Sequence, residues 1–202
     1  MKDLNISGNP GQGNTFRETN IERVGTYLHE PTVYYGYTQS RISAYFRRLH
    51  EEIESHITTR KLIADLLEYN TKLDGTKCLE EKLKDGGFGK TFISEALRKK
   101  EKYAKKATMY ECYPSAQEIN LLLLGDIKNS FDAYVFPLIR RLADKDTVIQ
   151  AVQEKVVQPI MQQLNSDGAT DEDLHYTSDH IYGMVYYLTG MCHLNWTDYD
   201  NV

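Results

Sequence analysis

Three stretches of this chain place chemically able residues close together, and each can be held against the mechanics of the chemistry it suggests. Asp85-Gly86-Gly87-Phe88-Gly89-Lys90-Thr91 ends as a phosphate-binding loop ends, with Gly-Lys-Thr opening a helix. The full loop needs a glycine where this chain has Lys84, and a buried strand leading in where it has a Lys/Glu-rich helical run. The stretch therefore reads as a helix-to-helix turn that uses glycine's backbone freedom. His175, His180, Cys192 and His193 gather near the C-terminus, but their spacing fits no zinc pattern. Glu172-x-x-His175 occurs once, where a di-iron bundle needs paired motifs on facing helices. His50-Glu51-Glu52-Ile53-Glu54 has Glu54 in place of a zincin's second histidine. There is no Gly-x-Ser-x-Gly elbow, and Cys78, Cys112 and Cys192 lie far apart with no CxxC spacing. No catalytic residue, cofactor or metal ligand is expected, and the chain is expected not to be an enzyme. An enzyme of unrecognised type would have to draw on the His and Cys of the C-terminal block.

Charge and aromatic usage point toward binding instead. The net charge of −5 argues against bulk attraction to nucleic acid or anionic lipid. It hides an asymmetry: residues 156–202 contain no Lys or Arg, whereas Lys90 to Lys106 is strongly basic. The two are expected to pair and so dock the last element. An alternative gives the basic helix to nucleic acid, with Arg98, Lys102, Lys105 and Lys106 sharing a face and Tyr103 offering a stacking ring. Tyrosine supplies 15 of the aromatic residues, against 6 Phe and 1 Trp. Such amphipathic rings suit either a core edge or a contact surface.

The elements that must position these groups are mostly helical. Residues 1–39 are rich in glycine and lack alanine, the composition of an extended arm. Within it, 5–16 suits a loose β-hairpin, and Tyr34, Tyr35 and Tyr37 need a surface to lie on. Residues 40–202 read as one helical domain of six or seven helices, on stripes such as Ile42, Phe46, Leu49 and Ile119, Leu123, Ile127. Pro114-Ser115-Ala116-Gln117-Glu118 predicts a capping box with Ser115 as N-cap. Pro137 and Pro159 must kink, break or restart their helices. The last helix is expected from Ser178 to Gly190, with Ile181, Met184, Val185 and Leu188 on its apolar face and Tyr182, Tyr186 and His193 on a wetter stripe. No export signal or membrane span is encoded in these residues, and a cytoplasmic location is expected.

Two blocks add a resemblance. Residues 5–16, from Asn5-Ile6-Ser7-Gly8 to Thr15-Phe16, and 181–196, from Ile181-Tyr182-Gly183-Met184 to Leu194-Asn195-Trp196, resemble the helical C-terminal domains of effectors in bacterial ABC-three-component conflict systems. The resemblance implies a noncatalytic adaptor that couples to a small middle component and through it to an ATPase. These 202 residues leave no room for a separate effector domain, so a stand-alone adaptor is expected. Tyr182, Tyr186, Tyr187, His193 and Trp196, with the arm tyrosines, are the candidate contact residues for a protein partner or for self-association. The other reading, that Trp196 and these rings seal the domain's own core, stands beside it.

Overall fold

The computed structural model describes residues 40–73, 77–168 and 171–199. The arm, its hairpin and Tyr34, Tyr35 and Tyr37 lie outside the described residues. Among those described there are seven helices and no strand. Helix α1, Arg41–Glu54, starts at Ser40, whose side chain accepts from the Ser43 amide at 3.2 Å. It buries Ile42, Phe46 and Leu49, as its spacing predicts. The short α2, Ala64–Asn70, and α3, Leu79–Asp85, follow. The Gly86-Gly87 turn then leads into α4, Lys90–Tyr110.

Helix α5 runs without a break through Pro114–Ser130, a π-helical turn Phe131–Val135, and Phe136–Arg140. Helix α6 repeats the arrangement with Lys145–Ala151, a π turn Val152–Val157, and Gln158–Asp167. Pro137 and Pro159 are each the second residue after their π turn. A proline has no N–H to give, and its ring crowds the carbonyl one turn back. A π turn inserts an extra residue just there and lets the helix continue. Widening, rather than a break or restart, is how both prolines are accommodated.

The start of α5 differs from the capping box read in the sequence. Pro114 is its first residue and Tyr113 its N-cap, with no side-chain cap bond. Ser115 is fully buried inside the first turn, where its amide and hydroxyl donate to Glu52 at 3.0 and 2.7 Å. A carboxylate from α1 thus satisfies the N-terminus of α5, where the helix dipole favours negative charge. Local sequence cannot show a cap supplied from 63 residues away.

Helix α7, Ser178–Gly190, has the bounds its pattern predicts and buries Ile181, Met184, Val185 and Leu188. It packs along α4 more extensively than any other helix pair does. Gly183 makes the approach feasible: a Cβ there would sit 2.3 Å from the Lys99 carbonyl oxygen and 2.8 Å from Tyr103 Cβ. Where α4, α5 and the lead-in to α7 meet, Tyr103 and Tyr176 both donate to Asn120 Oδ1, at 3.2 and 2.9 Å. Asn120 Nδ2 donates to the Ala116 carbonyl at 2.9 Å, so this buried polar cluster is hydrogen-bonded rather than orphaned.

Candidate functional site

The C-terminal block is built around Trp196, which is only 3% exposed. Its indole N–H donates to Thr189 Oγ1 at 3.0 Å, and that hydroxyl donates to the Val185 carbonyl at 2.9 Å. Phe88 and Phe131 meet the indole edge-on, with centroids 5.3 and 5.4 Å away. Tyr186, itself buried, stacks on it at 6.3 Å and in turn stacks on Tyr182 at 6.4 Å. One aromatic column therefore joins the α3–α4 turn, α5, α7 and the residues after α7. Burial pushes the Tyr186 hydroxyl well above its ordinary range.

The five candidate contact residues consequently divide by depth. Trp196, Tyr186 and His193 are buried and seal the domain's own interior. His193 lies edge-on to Tyr69 at 5.4 Å, and desolvation lowers its pKa. Tyr182 and Tyr187 are half-buried. The Tyr182 hydroxyl donates to Gln153, and Lys99 Nζ lies 4.4 Å from its ring centroid. The Tyr187 hydroxyl donates to Asn70 at 2.9 Å.

On the basic helix, three of the cations converge on one carboxylate. Arg98, Lys99 and Lys102 approach Asp179 at 3.4, 3.5 and 3.3 Å. Burial would raise the Asp179 pKa, but these cations, Lys102 first, outweigh it and hold the carboxyl below its ordinary range. Asp179 lies in the first turn of α7, so the expected pairing of basic helix with acidic end is made at that residue. Lys105 is exposed; Lys106 is half-buried, 6.0 Å from the Tyr176 ring, and desolvation lowers its pKa. Tyr103 is 2% exposed, which places its ring in the core and not beside those cations on the surface.

The histidines and cysteines of this block have structural positions. His180 Nδ1 accepts from the Thr177 amide at 3.1 Å, closing a capping box at the start of α7. Desolvation first, then Lys106 and Lys102, push its pKa down to about 4. His175 is exposed, and Cys192 follows α7 in the left-handed region at φ 67°. Beside Cys192 stands a residue that patterning did not single out. Lys82 is 3% exposed and donates to the Leu194 carbonyl at 3.2 Å and to Asn195 Oδ1 at 2.7 Å, which fixes the turn after α7. Desolvation lowers its pKa, with Cys192 opposing.

One groove with an apolar lining borders Trp196. Its volume is about 670 Å³, and it runs between the α5–α6 turn, the α3–α4 turn and residues 196–198. Phe88, Ile139, Val148 and Trp196 line its apolar part. Leu142, at φ 57° and 89% exposed, stands at its lip. Asp85, Asp144, Asp146 and Asp198 face Arg140 and Lys145 around it. Arg140 Nε is 3.3 Å from Asp198, whereas Asp144 caps α6 through the Thr147 amide at 2.9 Å. Nothing in the sequence marks Leu142 apart from any other turn residue; only its combination of exposure and backbone conformation does.

A model of one protein family, C-terminal domain 9 of the ABC-three component (ABC-3C) systems, matches residues 78–196. The matched segment starts at the residue before α3 and ends at Trp196, so it contains the closing block 181–196 but not the opening block 5–16. No curated protein and no solved structure matches the chain.

Proposed function

Because the chain belongs to the C-terminal domain 9 family of the ABC-three component systems, we propose that it acts as a noncatalytic adaptor module, joining a small middle component of such a system and through it the ATPase. Membership in a multicomponent system implies protein partners, and the match over residues 78–196 is the observation that carries this reading. Two structural features support it. In the C-terminal block, His180 caps a helix, His193 packs against a ring and Cys192 sits in a tight turn. Leu142, one of several exposed large apolar residues, borders a groove, as residues at protein contact sites do. Among the described residues no helix is long and apolar enough to cross a membrane.

The test is co-expression of the full chain with the middle component and the ATPase of an ABC-three component system, followed by native mass spectrometry of the purified material. A stoichiometric complex of the chain with the middle component is the expected result. A chain that elutes free of both, while those two still associate, would overturn the reading.

A further inference from the structure

We propose that Cys192 and Cys78 are joined by peroxide into a reversible disulfide that ties the turn after α7 to the start of α3, a modification site independent of the adaptor reading. Both cysteines sit where these two segments run side by side. The Cys192 Sγ lies 3.7 Å from the Lys77 carbonyl oxygen, so it rests against the peptide unit that Lys77 shares with Cys78. Farther along, a Cβ on Gly190 would stand 3.8 Å from Leu79 Cβ, a spacing of the kind that disulfides span. Lys82, one helical turn beyond Cys78, closes the same junction. It donates to the Leu194 carbonyl and to Asn195 Oδ1, and it also bonds the Cys192 thiol.

Access and charged partners set these two thiols apart from the third. Cys78 is exposed, so its side chain can turn between rotamers without displacing packing. Its amide, at 2.7 Å, and its thiol both bond the Glu81 carboxylate. Cys192 is half-buried, within reach of a small oxidant. Cys112 follows α4 beside Thr59, whose amide donates to its carbonyl at 2.6 Å. Hydrogen peroxide supplies the oxidising equivalents. The attacking form of a cysteine is its thiolate, and the cation beside Cys192 suits that role better than the carboxylate beside Cys78. The Cys192 sulfur attacks one peroxide oxygen: S–O forms, O–O breaks, and the departing hydroxide leaves as water with the thiol proton. The Cys78 sulfur then attacks the sulfenic sulfur: S–S forms, S–O breaks, and a second water leaves with the Cys78 proton, handed on by Glu81. Two thiols are oxidised and one peroxide is reduced to two waters.

The full chain, reduced and then treated with hydrogen peroxide under native conditions, is alkylated with iodoacetamide and digested with trypsin without reductant. Cleavage after Lys77, Lys82 and Lys155 leaves Cys78 in the peptide 78–82 and Cys192 in the peptide 156–202, each with a single cysteine. Mass spectrometry is expected to find these two joined and Cys112 alkylated, and dithiothreitol should separate them. The oxidised chain should run as a monomer on a non-reducing gel and gain about 1 M in urea midpoint, because the bond closes a long loop. Cys78→Ser, at an exposed position and checked for intact helicity by circular dichroism, should give no linked peptide and no gain in midpoint. Its Cys192 should instead be captured as a sulfenic acid by dimedone. Cys112→Ser should behave as the natural chain does. Cys78 alkylated as fully as Cys112 after peroxide, linkage through Cys112, or linkage only between chains would each overturn the proposal. None of these measurements involves the middle component, so the adaptor reading stands or falls by its own test.

Discussion

The seam between α4 and α7 and the groove beside α6 share Trp196, yet they use their apolar residues for opposite ends. In the seam, Gly183 brings two backbones together, Tyr186 and Trp196 stack, and Tyr103 donates to a buried asparagine. The Trp196 N–H, the Tyr103 hydroxyl and the Asp179 carboxylate there have partners inside the domain. In the groove, Leu142 is held out in solvent and Asp146 has its charge outside. The contrast shows that a concentration of aromatic residues in the sequence marks where a small helical domain is glued together. The groove differs in that an ordinary turn residue, Leu142, stands in water at its lip.

Several perturbations would break or sharpen that contrast, and the largest effect belongs to the seam. Trp196→Ala removes the ring on which Phe88, Phe131 and Tyr186 converge and the N–H that donates to the Thr189 hydroxyl. The lost ring packing should cost about 3–5 kcal/mol, read as a lowered urea midpoint. An intact fold that has lost only partner capture would instead make Trp196 a surface residue. Gly183→Val drives a side chain into the Lys99 carbonyl, which belongs to backbone and cannot turn aside. A loss of about 3 kcal/mol is expected in the same assay. Unchanged stability would mean that α4 and α7 are not in such close approach.

Acid should act on the seam next. His180 accepts at Nδ1 in its capping box, and its pKa falls from 6.5 to about 4 in the fold. Between those values the unfolded chain binds more protons than the folded one, so stability is complete above pH 6.5 and declines as the pH drops toward 4. His193, also lowered by desolvation, acts in the same direction. The loss is at most about 3 kcal/mol for His180. Urea midpoints measured from pH 7.5 to 4 should show it, and His180→Gln should flatten the curve. A profile identical in the variant would remove His180 from the explanation.

The smallest effect belongs to the groove. Leu142→Asn keeps a residue that tolerates the left-handed backbone and deletes only an exposed side chain. Its stability should change by less than about 0.5 kcal/mol. A larger loss would mean that Leu142 packs within the domain after all.

Helix α7 was legible because its apolar spacing and the Gly190 at its end are local signals. Pairing of the basic helix with the acidic end was legible as a charge asymmetry, though not as the single carboxylate Asp179. The prolines announced a disturbance whose form, a π turn, depends on how the flanking helix is held by its neighbours. Ser115 misled because local pattern cannot see Glu52 arriving from α1. Depth was the main thing hidden. Tyr182, Tyr186 and Tyr187 share one helix, and only packing against α4 and α5 decides which of them is buried. Lys82 looked like any charged helix residue until the turn after α7 closed over it.

Hydrogen–deuterium exchange on the free chain puts the division between seam and groove to its most direct test. The amides of α7 should be among the last to exchange, while those of residues 139–148, around Leu142, should exchange early. Early exchange along α7, or protection over 139–148 equal to it, would contradict it.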